Sequence, residues 1–254
     1  MRAARQRYDL IRHLVRRDFT VHYHASALGV LWSLLLPLTQ LLVLVFLFRR
    51  VLPLRIEAYP AFVFCALLPW AWLSSCLGSA GFLFVGNRDL VRRPGFAPAI
   101  LVVVNTLSNL LTYVVSLPFL LVVLAMYDRP LTSAVLVLPL LVLIQATLTV
   151  GLGLMVATLN VFFRDVQHIV TVLLSLLFYL TPVFYRVQEA SPGSVLLLRL
   201  NPIGALIGDY RAIFFYGTVP AWSSLLATGA FSVLVCGLGY ALYARQQHEM
   251  VDVL

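Results

Sequence analysis

Residues 130–163 read PLTSAVLVLPLLVLIQATLTVGLGLMVATLNVFF, a stretch of 34 residues without Asp, Glu, Lys or Arg. About 20 apolar residues are enough for a helix to cross the hydrocarbon layer of a bilayer, where a charged side chain is costly. The apolar residues do not alternate with polar ones, which favours a helix over a barrel strand. This stretch therefore predicts one transmembrane helix with some residues to spare.

Five further stretches without a charged residue lie on either side of this one. They cover residues 19–48, 58–87, 94–127, 166–185 and 212–244, and their lengths are 30, 30, 34, 20 and 33 residues. Each stretch can hold one membrane-crossing helix. We therefore predict an all-α integral membrane protein with six transmembrane helices in a single domain over 1–254. The predicted bounds are 27–48, 60–85, 99–126, 134–162, 166–185 and 220–244.

The composition of the whole chain excludes an ordinary water-soluble globule. Of its 254 residues, 61% are hydrophobic and 11% are charged, and the mean hydropathy is +0.96. A core of this size cannot bury so much apolar surface, so part of it must face lipid. Small residues four apart within the predicted spans, such as Gly153/Ala157 and Gly237/Ala241, permit close packing of neighbouring helices.

The interval between the fifth and sixth spans is apolar but interrupted by charges. Its charge-free pieces, 190–198 and 200–208, have nine residues each, which is too short to cross a bilayer. Asn201 and Pro202 provide a turn signal between apolar residues. We predict a re-entrant helical pair over 190–216, and an interfacial loop lying flat is the alternative.

The arginines indicate the orientation of the chain in the membrane. Residues 1–18 hold six of them beside apolar residues at i, i+4 spacing, which predicts an amphipathic interface helix on the anionic headgroup layer. With the N-terminus inside, the cytoplasmic segments hold 11 arginines and the outer segments hold 7. The positive-inside rule therefore favours cytoplasmic N- and C-termini.

Several classes of chemistry are excluded by the residues present. All 18 basic residues are Arg, and a GxxxxGK[ST] nucleotide loop needs a lysine, so ATP-driven work requires a second polypeptide. The arginines are not gathered on one soluble domain, so the net charge of +8 suggests a membrane surface or a phosphate-bearing partner rather than nucleic acid. His22 and His24 lack a third metal ligand. We predict no metal or cofactor in this chain.

Four strings in the chain resemble the permease subunit of type-2 ABC exporters for polysaccharides such as O-antigen, teichoic acid, capsule and galactan. They are RRDFTVHYHASALGVLWSLLLPL at 16–38, NVFFRDVQHI at 160–169, FYLTPVFY at 178–185 and LNPIGALIGDYR at 200–211. The resemblance implies a homodimer of six-helix subunits bound to two copies of an ATP-hydrolysing subunit, which binds the ATP and Mg²⁺. It also implies export of a lipid-linked polysaccharide across the bacterial cytoplasmic (inner) membrane.

The resemblance further implies which residues contact the ATPase. The family has a short coupling helix between the second and third spans, and the residues of this chain that match it are Asn87, Arg88, Leu90, Arg92, Arg93 and Phe96. The family's usual Phe-Pro pair is replaced here by Phe96-Ala97-Pro98, and Pro94 and Gly95 are added before it. Arg164 and Asp165 match either a second cytoplasmic contact or a pair that anchors the start of the fifth span.

The remaining predicted site residues would contact the transported molecule. Aromatic residues near membrane surfaces form interfacial belts, but they can also stack on sugar rings. The candidates for the conduit are Tyr23, Trp32, Phe178, Tyr179 and Tyr185, and those for an outer gate are Asn201, Pro202, Tyr210 and Arg211. Arg16 and Arg17 lie in the segment that resembles the family's interface helix near the cytoplasmic entrance. There they would contact a phosphate head group of the substrate or anchor the chain to lipid.

Two other functions stay open at the level of sequence. A type-2 ABC permease for a small drug or lipid would share the architecture, although the compact outer segments favour a glycan. A membrane-embedded transferase or hydrolase would need carboxylates or histidines clustered at one membrane face, and the predicted spans lack them.

Overall fold

The computed structural model describes residues 31–51, 56–129, 131–186 and 201–253, together with the single residue Val15. Within these ranges every regular element is helical. The helices are α1 (Leu31–Phe46, continued by a π-helical turn at Leu47–Val51), α2 (Tyr59–Ala80), α3 (Phe82–Val85), α4 (Arg88–Val91), α5 (Ala99–Met126), α6 (Leu138–Phe162, preceded by a 3₁₀ turn at Ser133–Val137), α7 (Val166–Leu180), α8 (Pro202–Phe214) and α9 (Trp222–Val253).

Four of the described helices are long and apolar enough to cross a membrane. They are α2, α5, α6 with its 3₁₀ turn, and α9 as far as Met250. Helix α7 is apolar too, but its 15 residues extend only about 22 Å, less than the hydrocarbon thickness of a typical bilayer. The prediction of an all-helical architecture is confirmed for the described part of the chain, and four of its helices have the length and composition of membrane spans.

Helix α2 occupies the centre of the bundle. In its most apolar window 78% of the residues are buried, against 22–28% in the other three long helices. Its largest buried side chains include Phe62, Phe64 and Leu67, and α1, α5, α6, α7 and α8 all pack against it. The outer helices consequently expose apolar side chains such as Val122 and Leu143, as expected of surfaces that face lipid.

Local sequence explains where the helices begin and end. Helix α2 starts with Pro60 in its first turn, where the missing N–H of proline costs no hydrogen bond. Helix α7 ends at Leu180 rather than at the predicted 185, because Thr181 precedes Pro182 and takes an extended conformation. Helix α9 continues to Val253, past the predicted 244, since its polar end consists largely of good helix formers.

Helices α6 and α9 approach so closely that their backbones touch. A Cβ atom added at Gly151 would lie 2.6 Å from the Cα atom of Cys236, and one added at Gly239 would collide with the carbonyl oxygen of Gly151. A Cβ atom at Gly237 would meet nothing within 4 Å. The close contact in α9 therefore lies at Gly239 and not at the predicted Gly237/Ala241 pair.

We expect Gly239→Ala to destabilise the protein by about 1–3 kcal/mol, because the two helices must move apart to admit the methyl group. Gly237→Ala is the matched control, since it adds the same methyl group to the same helix in open space. Thermal unfolding of the detergent-solubilised protein, followed by fluorescence-detected gel filtration, measures both variants. Equal melting temperatures for the two variants would contradict the packing described here.

Some predicted features lie outside the described residues. These are the interface helix at 1–18 apart from the single residue Val15, including Arg16 and Arg17; Tyr23; the first four residues of the first predicted span; and residues 190–200 of the re-entrant segment. Trp32 lies in α1, but its side chain is not part of the description.

Candidate functional site

A groove of about 560 Å³ opens between α1, α2 and α7. Its walls combine aromatic rings with uncharged polar side chains. The aromatic residues are Trp70, Phe178 and Tyr179, and the polar ones are Thr39, Gln40, Ser74, Thr171 and Ser175. No charged side chain lines this groove among the described residues. Two of the predicted conduit residues, Phe178 and Tyr179, therefore lie in one wall.

The polar residues of the groove follow helical periodicity. Thr171, Ser175 and Tyr179 are spaced four apart in α7, so they share one face of that helix. Thr171 Oγ1 donates to the carbonyl oxygen of Gln167 at 2.9 Å, and Ser175 Oγ donates to that of Thr171 at 3.0 Å. Each hydroxyl is thus satisfied within the helix and still presents lone pairs to a ligand.

Aromatic rings continue from the groove along the end of α7. The ring of Phe178 lies 5.7 Å from that of Trp70 and 5.7 Å from that of Phe184. Phe184 lies 5.1 Å from Tyr185, whose hydroxyl donates to the carbonyl oxygen of Tyr179 at 3.1 Å. The third described conduit candidate, Tyr185, therefore belongs to the same aromatic cluster.

This combination of walls suits an uncharged molecule that has both apolar faces and hydroxyl groups. Aromatic rings offer large, rigid surfaces for stacking, and nearby hydroxyl and amide groups give and accept hydrogen bonds. Sugar rings have C–H faces and hydroxyl edges of this kind. In the part of the chain that the structure describes, the groove walls hold no charged side chain and no metal-binding cluster.

The predicted coupling residues lie together at the end of the bundle where α2 finishes. Helix α4 is a single turn, and it is followed by Gly95, whose φ of 80° suits glycine. The exposed members of the set are Arg88, Arg92 and Arg93, and the half-buried members are Asn87, Leu90 and Phe96. Basic groups are thus presented outward, while the apolar side chains hold the segment against the bundle.

A second apolar core anchors this coupling segment. Phe84 of α3 and Val91 of α4 are buried with Tyr243 and Met250 of α9, and Phe96 packs against the same cluster. The end of α9 therefore lies at the same end of the bundle as α3 and α4. Arg164 and Asp165 are exposed in the three-residue turn between α6 and α7, which reaches this end as well.

The predicted gate residues lie in α8 and at its start, near the C-terminal end of α7 and away from the coupling segment. Asn201 caps α8 by accepting from the Ile203 N–H at 3.0 Å, and its Nδ2 donates to Thr181 Oγ1 at 3.1 Å. Pro202 occupies the first turn of α8, as expected for a helix start. Tyr210 is fully buried, with its ring 6.1 Å from that of Tyr113.

Arg211 braces this end of the bundle from the inside. Only 6% of it is exposed. Its guanidinium donates to the carbonyl oxygens of Pro182 at 2.9 Å, Val183 at 2.8 Å and Phe62 at 3.3 Å. It also lies 3.7 Å from the centre of the Phe62 ring. Arg211 thus joins α8 to both α2 and the segment after α7.

Sequence reasoning missed the groove residues on α2 and the polar residues on α7. Trp70 and Ser74 are four apart, as are Thr171 and Ser175, so each pair marks one face of an apolar span. This spacing of polar residues was the available signal. The roles predicted for the coupling and gate residues remain predictions, since geometry gives their positions only.

Comparison with known proteins places the chain in a family. Residues 9–215 match the ABC-2 type transporter family. The chain is 36% identical to the O-antigen export system permease protein RfbA of Myxococcus xanthus, with 99% of both chains covered. It is 28% identical to the protein of that name from Klebsiella pneumoniae, with 97% of this chain and 95% of the relative covered. Identity to the polysialic acid transport protein KpsM of Escherichia coli is 23%, with 94% and 93% covered. The chain belongs to the ABC-2 type transporter family.

Proposed function

We propose that this chain is the membrane-spanning permease subunit of an ATP-driven exporter, and that its substrate is a lipid-linked polysaccharide moved from the cytoplasm across the inner membrane. The observation that carries the proposal is the uncharged groove with aromatic and hydroxyl walls between α1, α2 and α7. The names of the relatives, which describe O-antigen export and polysialic acid transport, point to the same class of substrate.

The conduit itself is completed by a second copy of the chain. A groove of about 560 Å³ that is open along one side is too small to enclose a polymer. Val43 of α1, which is 57% exposed, lines the groove, and α7 exposes apolar side chains such as Leu180 beyond it. In a homodimer these two helices of each protomer would face the partner, so that two grooves form one passage.

The remaining topology follows from the same proposal. Helices α1 and α7 complete a set of six spans, and α8 is the second half of the re-entrant pair. The N- and C-termini are cytoplasmic. The ATPase subunits, two copies binding ATP and Mg²⁺, dock at the end that presents Arg88, Arg92, Arg93 and Arg164. The exposure of these arginines supports this docking.

Depletion of the chain in its native host tests the function. Lipid-linked glycan is expected to accumulate in the cytoplasmic leaflet and to disappear from the cell surface, because the polymer is made but cannot cross. The measurement is the glycosidase-accessible fraction of lipid-linked glycan in intact cells and in lysed cells. Depletion of the ATPase partner is the control and is expected to give the same result. Unchanged surface glycan after depletion of the chain would contradict the proposal.

A further inference from the structure

The break between α2 and α3 at Gly81 is held by two side chains that flank the α6–α7 turn, Asn160 near the end of α6 and Gln167 at the start of α7. Gln167 Oε1 accepts from the Gly81 N–H at 2.9 Å, and Gln167 Nε2 donates to the carbonyl oxygen of Gly78 at 2.7 Å. Asn160 Nδ2 donates to the carbonyl oxygen of Gly81 at 2.8 Å, and Asn160 Oδ1 accepts from the Gln167 N–H at 3.1 Å. Asn160 and Gln167, with the backbone of Gly78 and Gly81, are termed the clasp.

The clasp is buried and fits glycine at its centre. Asn160 and Gln167 are only 3% and 4% exposed. A Cβ atom at Gly81 would collide with Gln167 Oε1 and would lie 3.0 Å from Asn160 Cγ. At Gly78, one turn earlier, an added Cβ atom would meet nothing within 4 Å. Gly81 is therefore the position where Asn160 and Gln167 pack directly against the backbone between α2 and α3.

The clasp joins three parts of the molecule that have different tasks. On one side of Gly81, α3 leads into the coupling segment at 87–98, which contains α4. On the other side, Asn160 and Gln167 flank the turn that carries Arg164 and Asp165. Gln167 is also the second residue of α7, and its carbonyl oxygen accepts from Thr171 Oγ1 in the groove wall.

Physical chemistry favours the clasp as the connection between these parts. Apolar contacts have no preferred direction, so packed helices can slide along them. The four hydrogen bonds of the clasp are directional. Three of them are buried and the one to Gly78 is part-buried, and breaking a buried one leaves a polar group unsatisfied in an apolar surrounding. The clasp therefore connects the start of α7 to the chain that leads into the coupling segment.

We infer that the clasp transmits the movement of the coupling segment to α7 and thereby opens the groove. Asn160 and Gln167 are positioning residues in this mechanism, since neither is among the residues that line the groove. The inference rests on the proposed function, because it assigns a path to the movement that the ATPase partner supplies.

Gln167→Met in the full chain, assembled with its ATPase and reconstituted with lipid-linked glycan, tests this inference. The measurement is the amount of glycan moved per ATP hydrolysed, and we expect this ratio to fall by about tenfold or more while ATP hydrolysis continues. Gln145→Met is the matched control. Gln145 is 1% exposed and its Nε2 donates to the carbonyl oxygen of Pro69 in α2 at 2.8 Å, far from the break. This control is expected to keep the wild-type ratio even if it lowers the melting temperature.

Gly81→Ala provides an independent variant that keeps both clasp side chains. It is expected to lower the ratio as Gln167→Met does, and adding Gln167→Ala to it is expected to lower the ratio no further. If Gln167→Met does not fold, Gly81→Ala alone and Gly81→Ala combined with Gln167→Ala test the inference. Wild-type ratios in Gln167→Met or Gly81→Ala, or an equal fall in Gln145→Met, would overturn the inference. A wild-type complex that moves no glycan overturns the proposed function itself, and the inference with it.

Discussion

Arg211→Met is expected to lower the melting temperature of the detergent-solubilised protein by roughly 10 °C, the largest change among the stability variants. The guanidinium is buried. Among the described residues it donates to the carbonyl oxygens of Pro182, Val183 and Phe62 and lies over the Phe62 ring. Pro182 and Val183 lie outside regular helix, so their carbonyl groups lose this partner in a place that water does not reach. The contact ties the end of α7 to α2, and its loss loosens both.

Typical interaction energies indicate that Arg211→Met lowers the free energy of unfolding. Each stranded buried carbonyl costs about 1–3 kcal/mol, and a desolvated cation–π contact is worth about 2 kcal/mol. The relief of the buried charge offsets part of this sum, which leaves about 3–5 kcal/mol of net destabilisation. The melting temperature of Arg211→Lys is expected to lie between those of the wild type and Arg211→Met, since one ammonium group cannot reach all three carbonyl oxygens.

Arg129→Met is the control for Arg211→Met. Arg129 also lies over an aromatic ring, 4.7 Å from the centre of Phe215, and it forms an ion pair of 3.7 Å with Glu57. Its side chain is 33% exposed and that of Glu57 is 91% exposed, so solvent screens the pair. Its loss should cost less than about 1 kcal/mol. Equal melting temperatures for the two variants would show that Arg211 does not brace the bundle.

Ser175→Trp is expected to reduce glycan export at least about tenfold, because overpacking of about 1–3 kcal/mol in the passage slows every sugar that moves through it. Ser175 is exposed in the groove wall between Thr171 and Tyr179. An indole ring there would fill space that the glycan needs. The rate at which labelled lipid-linked glycan appears inside inverted vesicles measures the effect.

Leu143→Trp adds a similar bulk to the lipid-facing side of α6, where Leu143 is 62% exposed and outside the groove. Export by this variant is expected to stay within about twofold of wild type, since surface substitutions on an apolar face cost little. ATP hydrolysis by the assembled complex should persist in both variants. Wild-type export by Ser175→Trp would show that the glycan takes another route.

The long helices could be predicted because a membrane span depends on composition more than on tertiary contacts. The absence of charges at 94–127 places a span at 99–126, and α5 covers these residues. Charges mark the end of an apolar segment but not the end of a helix, which is why α9 continues past Arg245. The end of α7 was readable from Pro182, since the residue before a proline avoids the helical conformation.

The candidate site was less accessible to sequence reasoning. Phe178 and Tyr179 could be named from their clustering, but Trp70 joins them only because α2 and α7 pack with particular rotations about their axes. The clasp shows the same limit. Asn160 and Gln167 stand in one recognisable string, yet their partner Gly81 lies 79 and 86 residues away along the chain. Arg211 could be recognised in the sequence as a charged residue. The carbonyl groups that accept its hydrogen bonds could not be recognised, because only the fold brings them near it.

The burial of α2 has a consequence for how the protein is made. Ribosomes deliver α2 to the membrane before α5, α6 and α8 exist, although these helices provide most of its surroundings. Until α6 and α8 have been synthesised, α2 must rest in lipid or beside an insertion factor, and the hydrogen bond from Gln145 Nε2 to the Pro69 carbonyl oxygen cannot form before α6 is present. Nascent chains arrested before α8 should therefore be preferred targets of membrane proteases.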